Sequence, residues 1–283
     1  MNPGTVQHPA RGPLDHARLT AALAADPGLG LELLDVAPST NQVASERARA
    51  GAAQGLVVVA DHQAAGRGRL DRSWQTPPGT AATFSLLLRP TAPAARWPWL
   101  PLLVGHQVGA ALSDLGYAAR LKWPNDVLLD VNPSTDSEDL RKVAGILVER
   151  VETDQGPAAI VGVGINVAMS ADELPVETAT SLIMAGPAAP DRSEVIAAVV
   201  LAIGEGYHRW QREDVAGSSA LAESYRARCA TLGREVRVEL PGGGRWLGRA
   251  VDVDADGRLV VSTAEGEQRV GAGDVVHVRN RQA

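Results

Sequence analysis

The chain has 283 residues, 45% hydrophobic and 21% charged, a balance that fits a folded globular protein and excludes a disordered one. At about 150 residues per domain, this length corresponds to two domains, or to one large domain with a small one. Lys and Arg number 27 against 33 Asp and Glu, and the net charge of −6 excludes a general polyanion binder while leaving room for a local basic site. The one cysteine, Cys229, cannot close an internal disulfide or build a cysteine metal cage, so a cytoplasmic, reducing compartment is expected. The N-terminal MNPGTVQHPARGPLDHARL has no basic start followed by an apolar stretch, so no export signal is expected. No apolar run approaches the roughly 18 residues that a membrane-crossing helix needs.

Residues 1–13 contain Pro3, Gly4, Pro9, Gly12 and Pro13 and read as a flexible leader. A short helix is expected over Leu14–Ala25, stopped at Asp26-Pro27-Gly28. Leu31, Leu33 and Val36 predict a strand, and Ser39 then stands at the N-cap position of a helix over Asn41–Ala50. Val57–Val59 mark a buried strand that runs into the loop Gln63–Arg69. Thr83–Leu88 reads as a further strand, and from Trp99 to Leu115 the apolar positions recur at helical spacing up to Gly116.

Strands are predicted at Ala119–Trp123, Val127–Asp130, Val143–Val151 and Ala158–Asn166, and their short links favour an antiparallel or mixed sheet over a doubly wound parallel one. Asn132–Asp139 reads as a polar hairpin loop. A long amphipathic helix over Ser193–Arg212, with Ser193 as N-cap, and a second helix over Ser219–Cys229 follow. After Thr231 short alternating runs such as Glu235–Leu240, separated by Gly242-Gly243-Gly244, Asp256-Gly257 and Gly271, predict a small β-barrel of about 50 residues. The domain boundary is expected near residue 231.

Four segments carry candidate chemistry. GRGRLDRSW, Gly66–Trp74, sets three arginines among glycines, and arginine forks bind carboxylate and phosphate bidentately, so an anion clamp is one reading. A solvated basic hairpin or a nucleic-acid contact is the other. In KWPNDV, Lys122–Val127, Pro124 forces Trp123 into an extended conformation and presents Asn125 and Asp126 at the strand end. In the run Arg141–Glu149, Lys142 opens an apolar strand and Gly145 would let a ligand ring lie against the backbone. GVGINV, Gly162–Val167, repeats that device with Gly162 and Gly164 and adds Asn166 as donor and acceptor.

On Ser39-Thr40-Asn41, Gln63 with GRGRLDRSW, KWPNDV, KVAGILVE and GVGINV, the chain resembles the biotin-protein ligases, also called biotin-[acetyl-CoA-carboxylase] ligases, over about residues 31–283. The form resembled lacks the N-terminal DNA-binding domain. The resemblance implies an α+β fold: leader and helix over 1–30, a class II aminoacyl-tRNA synthetase-like catalytic domain with a mixed β-sheet over 31–230, and an SH3-like β-barrel over 231–283. It implies that biotin and ATP form biotinyl-5′-AMP with release of pyrophosphate, and that biotin then passes to one lysine of a biotin carboxyl carrier protein. Attack of a carboxylate on a phosphate brings anions together, which fixed cations and Mg²⁺ would offset.

By the same resemblance Arg67 and Lys142 act at the carboxylate–phosphate junction. Ser39, Thr40, Asn41 and Gln63 contact biotin, together with Arg67, Gly68, Arg69 and Lys142, over a close-packed floor of Gly145, Gly162 and Gly164. Arg67, Arg69, Arg72, Trp74, Asn125, Lys142 and Asn166 are expected on the ATP side. An acceptor lysine with a pKa near 10.4 is only about 0.04% neutral at pH 7, so Asp126 is expected to orient the amine or to hold Mg²⁺. Two departures stand out: Asp71 occupies a position where many members have Gly, and Thr178–Leu182 lacks the Trp that some relatives place against adenine.

Three helices with a hairpin need about 50 residues, and only the segment before Ser39 is available, so no specific DNA binding is expected. A lipoate-directed ligase and a non-catalytic binding module are the other readings weighed. Relatives include monomers and dimers formed through the sheet, which allows a homodimer.

Overall fold

Apolar side chains that alternate across a strand can serve two faces of one sheet, and Val57–Ala60 do so. Val57 and Val59 enter the main core, while Val58 and Ala60 enter a second cluster on the opposite face. The computed structural model describes residues 11–70, 72–132, 138–186, 190–213, 220–240, 243–271 and 273–278.

The chain runs through α1 (His16–Leu23), β1 (Gly30–Ala37), α2 (Thr40–Arg49), β2 (Leu56–Gln63), β3 (Ala81–Leu88), α3 (Leu100–Asp114), β4 (Ala119–Lys122) and β5 (Asp126–Asp130). It continues through β6 (Leu140–Val151), β7 (Ala158–Asn166), α4 (Leu182–Ala185), α5 (Arg192–Arg212) and α6 (Ala220–Arg228). The C-terminal strands are β8 (Glu235–Glu239), β9 (Arg245–Val253), β10 (Leu259–Thr263), β11 (Gly266–Val270) and β12 (Asp274–His277).

The first seven strands form a mixed sheet in the order β1-β2-β3-β7-β6-β5-β4, with β1 and β2 parallel and the remaining pairs antiparallel. This is the mixed sheet expected from the short strand links. β3 and β7 lie at its centre and are buried at every position, because α2 packs on one face and α3 with α5 on the other. The last five strands form an antiparallel sheet in the order β11-β10-β9-β8-β12, the strand count of the small barrel expected there. Its core residues Val236, Val238, Ala250, Leu259 and Val261 belong to the same cluster as Trp99 and Trp123, so the two sheets share one continuous apolar interior. Trp99 Nε1 donates to Ala255 O at 2.7 Å and Trp123 Nε1 to Gly257 O at 3.0 Å, and both indoles are buried.

Three local expectations are corrected. Asp191, not Ser193, caps α5, because its carboxylate accepts from Ser193 N (2.8 Å) and Glu194 N (3.1 Å), an acid at the positive end of the helix dipole. Ser193 Oγ instead accepts from Asp15 N at 3.0 Å and ties α1 to α5. The end of the expected leader is anchored: Arg11 bonds Glu173 at 2.6 and 2.9 Å and Ala168 O at 2.8 Å, and Gly12 O accepts from the buried Arg192. The helix expected from Trp99 begins at Leu100, because Trp99 closes a 3₁₀ turn over Ala94–Trp99. Residues 1–10, Asp71, 133–137 of the expected polar loop and Ser219 lie outside the described residues. No helix among the described residues is long and apolar enough to cross a membrane.

Candidate active site

A cavity of about 220 Å³ opens at the ends of β2 and β4 and against β6 and β7, lined by residues of the 64–74 loop, and Asp274, Val275 and Val276 of the C-terminal sheet also line it. Ser39, Thr40, Asn41, Gln63, Arg67, Gly68, Arg69, Arg72, Trp74, Asn125, Asp126, Lys142, Gly145, Gly162 and Gly164 all line it, so residues more than 120 positions apart in the chain meet there.

One end of the cavity is a buried polar cluster at the start of α2. Ser39 holds the N-cap position with extended backbone, yet its side chain makes no capping bond, which leaves the hydroxyl to the cavity. Thr40 donates to Gln63 Oε1 from both its backbone N (2.8 Å) and Oγ1 (3.1 Å). Ser85 Oγ bonds Thr40 Oγ1 (2.8 Å) and Asn41 Oδ1 (2.6 Å), while Asn41 Nδ2 donates to Glu149 Oε2 at 2.7 Å and to Leu147 O at 3.3 Å. Asn41 therefore has both ends of its amide engaged by protein, and its role is to organise the cluster.

The loop is a tight hairpin. Gly68 N donates to Arg72 O (2.7 Å), Arg72 N to Arg69 O (3.2 Å) and Trp74 N to Gly66 O (2.8 Å), and Leu70 at its tip has a φ of 54° and is exposed. Each of its arginines meets a fixed acceptor elsewhere. Arg67 donates to Glu149 Oε2 at 2.8 Å, Arg69 to Asn125 Oδ1 at 3.0 Å and to Gly273 O at 3.2 Å, and Arg72 pairs with Asp274. Burial holds the Arg69 guanidinium below the ordinary arginine range, with Asp126 opposing that shift.

Asp126 sits between two lysines, with Lys142 Nζ at 2.6 Å from Oδ1 and Lys122 Nζ at 3.7 Å from Oδ2. Burial pushes the Lys122 ammonium below the ordinary lysine range, and Asp126 opposes that shift. Among the described residues no group of three or more His, Cys, Asp or Glu side chains gathers. A hard dication takes oxygen ligands, and a lone carboxylate already shared by two ammonium groups does not fit Mg²⁺. The expected metal role of Asp126 is replaced by that of a counter-ion holding two lysines at one point.

The glycine floor exists, but protein side chains lie on it. A Cβ at Gly162 would fall 2.2 Å from Asn41 Oδ1, and one at Gly164 would fall 2.6 Å from Trp74 Cε2. A Cβ at Gly145 would meet both Lys142 Nζ and Trp74 Cζ3 at 3.2 Å. Flat amide and indole groups thus pack where larger residues could not. Trp74 Nε1 is buried without a hydrogen-bond partner, and Lys142 Nζ lies 5.7 Å from the indole centroid.

Asn166 departs from its expected place on the ATP side. It does not line the cavity; its amide donates to Thr180 O at 2.9 Å, and the same segment exchanges backbone bonds with Lys142 at Thr178 O and Thr180 N. It braces the chain beside Lys142. Three functional positions escaped the motif reading: Lys122, Glu149 and Asp274. The first opens KWPNDV and the second closes KVAGILVE, so each stood at the edge of a recognised motif. Asp274 had no local signal, since its place depends on how the C-terminal sheet docks.

The Biotin/lipoate A/B protein ligase family is matched over residues 33–166, and the Biotin protein ligase C terminal domain over residues 231–278. The chain is 37% identical to the biotin--[acetyl-CoA-carboxylase] ligase of Mycobacterium tuberculosis, over 95% of this chain and 97% of that one. It is 33% identical to the bifunctional ligase/repressor BirA of Bacillus subtilis, over 85% of this chain and 72% of that one. The structure of the Aquifex aeolicus biotin protein ligase in complex with biotin and ATP superposes with a TM-score of 0.72 at 29% identity, covering 89% of this chain and 99% of that one. With both the main and the C-terminal region matched by that family and a full-length relative 37% identical, the chain belongs to the biotin protein ligases.

Proposed function

We propose that this chain is a cytoplasmic, ATP-dependent biotin–protein ligase that joins biotin and ATP as biotinyl-5′-AMP, releases pyrophosphate, and passes biotin to one lysine of a biotin carboxyl carrier protein. The observation that carries this reading is a cavity lined by the hydrogen-bonding side chains of Ser39, Thr40 and Gln63, by a glycine floor, and by five cationic side chains. A urea-headed apolar bicycle with a carboxylate tail has that same polarity sequence. For the bicycle to lie on Gly164, the Trp74 indole moves aside.

In the first step the biotin carboxylate oxygen attacks the α-phosphorus and the bond to pyrophosphate breaks. Arg67, Arg69 and Lys142 stabilise the charge that develops there. In the second step a carrier amine attacks the acyl carbon, AMP leaves, and the surplus amine proton is lost. Asp126, facing the cavity at the acyl junction, orients that amine. Mg²⁺ would enter with the nucleotide's own phosphates, since among the described residues no group of three or more acidic, His or Cys side chains gathers to hold it.

The test is a turnover assay with ATP, Mg²⁺, biotin and a carrier domain, comparing wild type with Arg67→Ala and Lys142→Ala, and replacing biotin by lipoate. Wild type releases pyrophosphate with biotin and not with lipoate, and both variants retain less adenylate. Unchanged retention in both variants overturns the site assignment. The same reading expects no sequence-specific DNA binding, and a salt-resistant specific gel shift contradicts it.

A further inference from the structure

Five cationic side chains line the cavity, and among the described residues three carboxylates answer them. Arg67 is committed to Glu149 at 2.8 Å, Arg72 to Asp274, and Lys142 to Asp126 at 2.6 Å. The surplus charge falls on the other two. Arg69 lies 4.0 Å from Asp274 and is held mainly by the neutral oxygens of Asn125 and Gly273. Lys122 lies 3.7 Å from an aspartate that already holds Lys142 more closely. Burial pushes both Arg69 and Lys122 below their ordinary ranges, and the neighbouring Lys142 lowers Lys122 further. A desolvated cation with an incomplete partner gains most from a bound anion.

We propose that Lys122 is a ligand-binding residue, taking the charge of a phosphoryl anion in the cavity while Lys142 stays tied to Asp126. The proposal rests on the adenylate-forming reading above and deepens it. The two ammonium groups converge on one carboxylate, so an anion docking beside Asp126 meets both. Asp126 offsets one of the two ammonium charges at this point, so Lys122 and Lys142 together leave one net positive charge for the anion.

The test titrates wild type, Lys122→Gln and Lys122→Arg with four probes: biotin, a phosphodiester analogue of biotinyl-5′-AMP, the matching analogue with an uncharged linkage, and inorganic pyrophosphate. Lys122→Gln weakens the phosphodiester probe roughly 10- to 100-fold, the loss of one charge-assisted hydrogen bond. Biotin and the uncharged analogue stay within about twofold, and Lys122→Arg recovers most of the loss. A loss on pyrophosphate instead of the phosphodiester also supports the proposal and places Lys122 at the leaving group. Equal losses on charged and uncharged probes, or none on either anion, overturn it.

A pH series adds a second readout. The charged groups facing Lys122 are Asp126 and Lys142 on β5 and β6, Arg72 on the loop, and His277 on β12. Because the Lys122 ammonium is held below the ordinary range, affinity for the phosphodiester falls as pH rises through that lowered value. In Lys122→Arg the fall moves to higher pH, and an unmoved profile counts against the proposal. A wild type that binds neither biotin nor the phosphodiester analogue refutes the ligase reading and this proposal together; normal wild-type binding with an unaffected Lys122→Gln sinks the Lys122 assignment alone.

Discussion

Strands β6 and β7 deliver Lys142, Gly145, Gly162 and Gly164 from inside a seven-stranded sheet, with every residue of β7 buried and ladder bonds on both sides. The 64–74 loop delivers Arg67, Arg69 and Arg72 from a hairpin closed by a few backbone bonds, with an exposed tip at Leu70. In the strands, position comes from packing and cannot be changed without disturbing the core. In the loop, position comes from charges borrowed from elsewhere: Glu149 on β6, Asp274 on β12 and the Asn125 amide. A ligand anion competes for the same arginines, so the loop is the part of the site whose conformation the ligand can rewrite.

That contrast is breakable. Phe84→Ala, in β3 beside β7, costs about 3–5 kcal/mol of stability in urea unfolding, whereas Leu70→Ser at the loop tip stays within about 0.5 kcal/mol; comparable losses would erase the distinction. Lys142→Ala lowers the rate of adenylate formation about 10²- to 10³-fold in a pyrophosphate-release assay with little change in stability, as removal of one preorganised charge should. Gly164→Ala, whose Cβ falls 2.6 Å from Trp74 Cε2, displaces the indole and costs about 1–3 kcal/mol. Gly68→Ala, whose nearest contact is Arg72 O at 3.4 Å, is close to neutral in the same unfolding series. Asp274→Asn weakens retention of the adenylate by at most about fivefold, because Arg72 is 64% exposed and exposed pairs contribute about 1 kcal/mol or less. A larger loss there would show that the C-terminal sheet positions the loop more firmly than its charges imply.

Much of this architecture was legible from residue order. Continuous apolar runs such as Ala158–Ile165 marked strands buried on both faces, and helical spacing located α3 and α5. Much of the cavity lining was legible because its members sit in four compact motifs, with Ser39–Asn41 and Gln63 just outside them. What stayed hidden depended on three-dimensional choices that local pattern does not encode. Ser193 and Asp191 are both plausible caps by residue type, and only the chain's entry angle decides between them. Asn166 looks like a ligand contact because it follows two strand glycines, yet its amide turns to the 178–181 segment. The glycines themselves were read as a platform for a ring, and the structure places Asn41 and Trp74 against them. Asp274 and Lys122 became visible only when charges from distant segments could be set side by side.

Trp99 and Trp123 each drive an indole N–H into the same short turn of the C-terminal sheet, at Ala255 O and Gly257 O. Two pins on an arc of three residues resist rotation as well as separation, so this turn acts as a hinge plate that works together with the shared apolar interior and the Arg226 bonds to Val253 O. A C-terminal sheet transplanted from another ligase would therefore need both a β9–β10 turn with two carbonyls at this spacing and a matching apolar face to seat over the cavity.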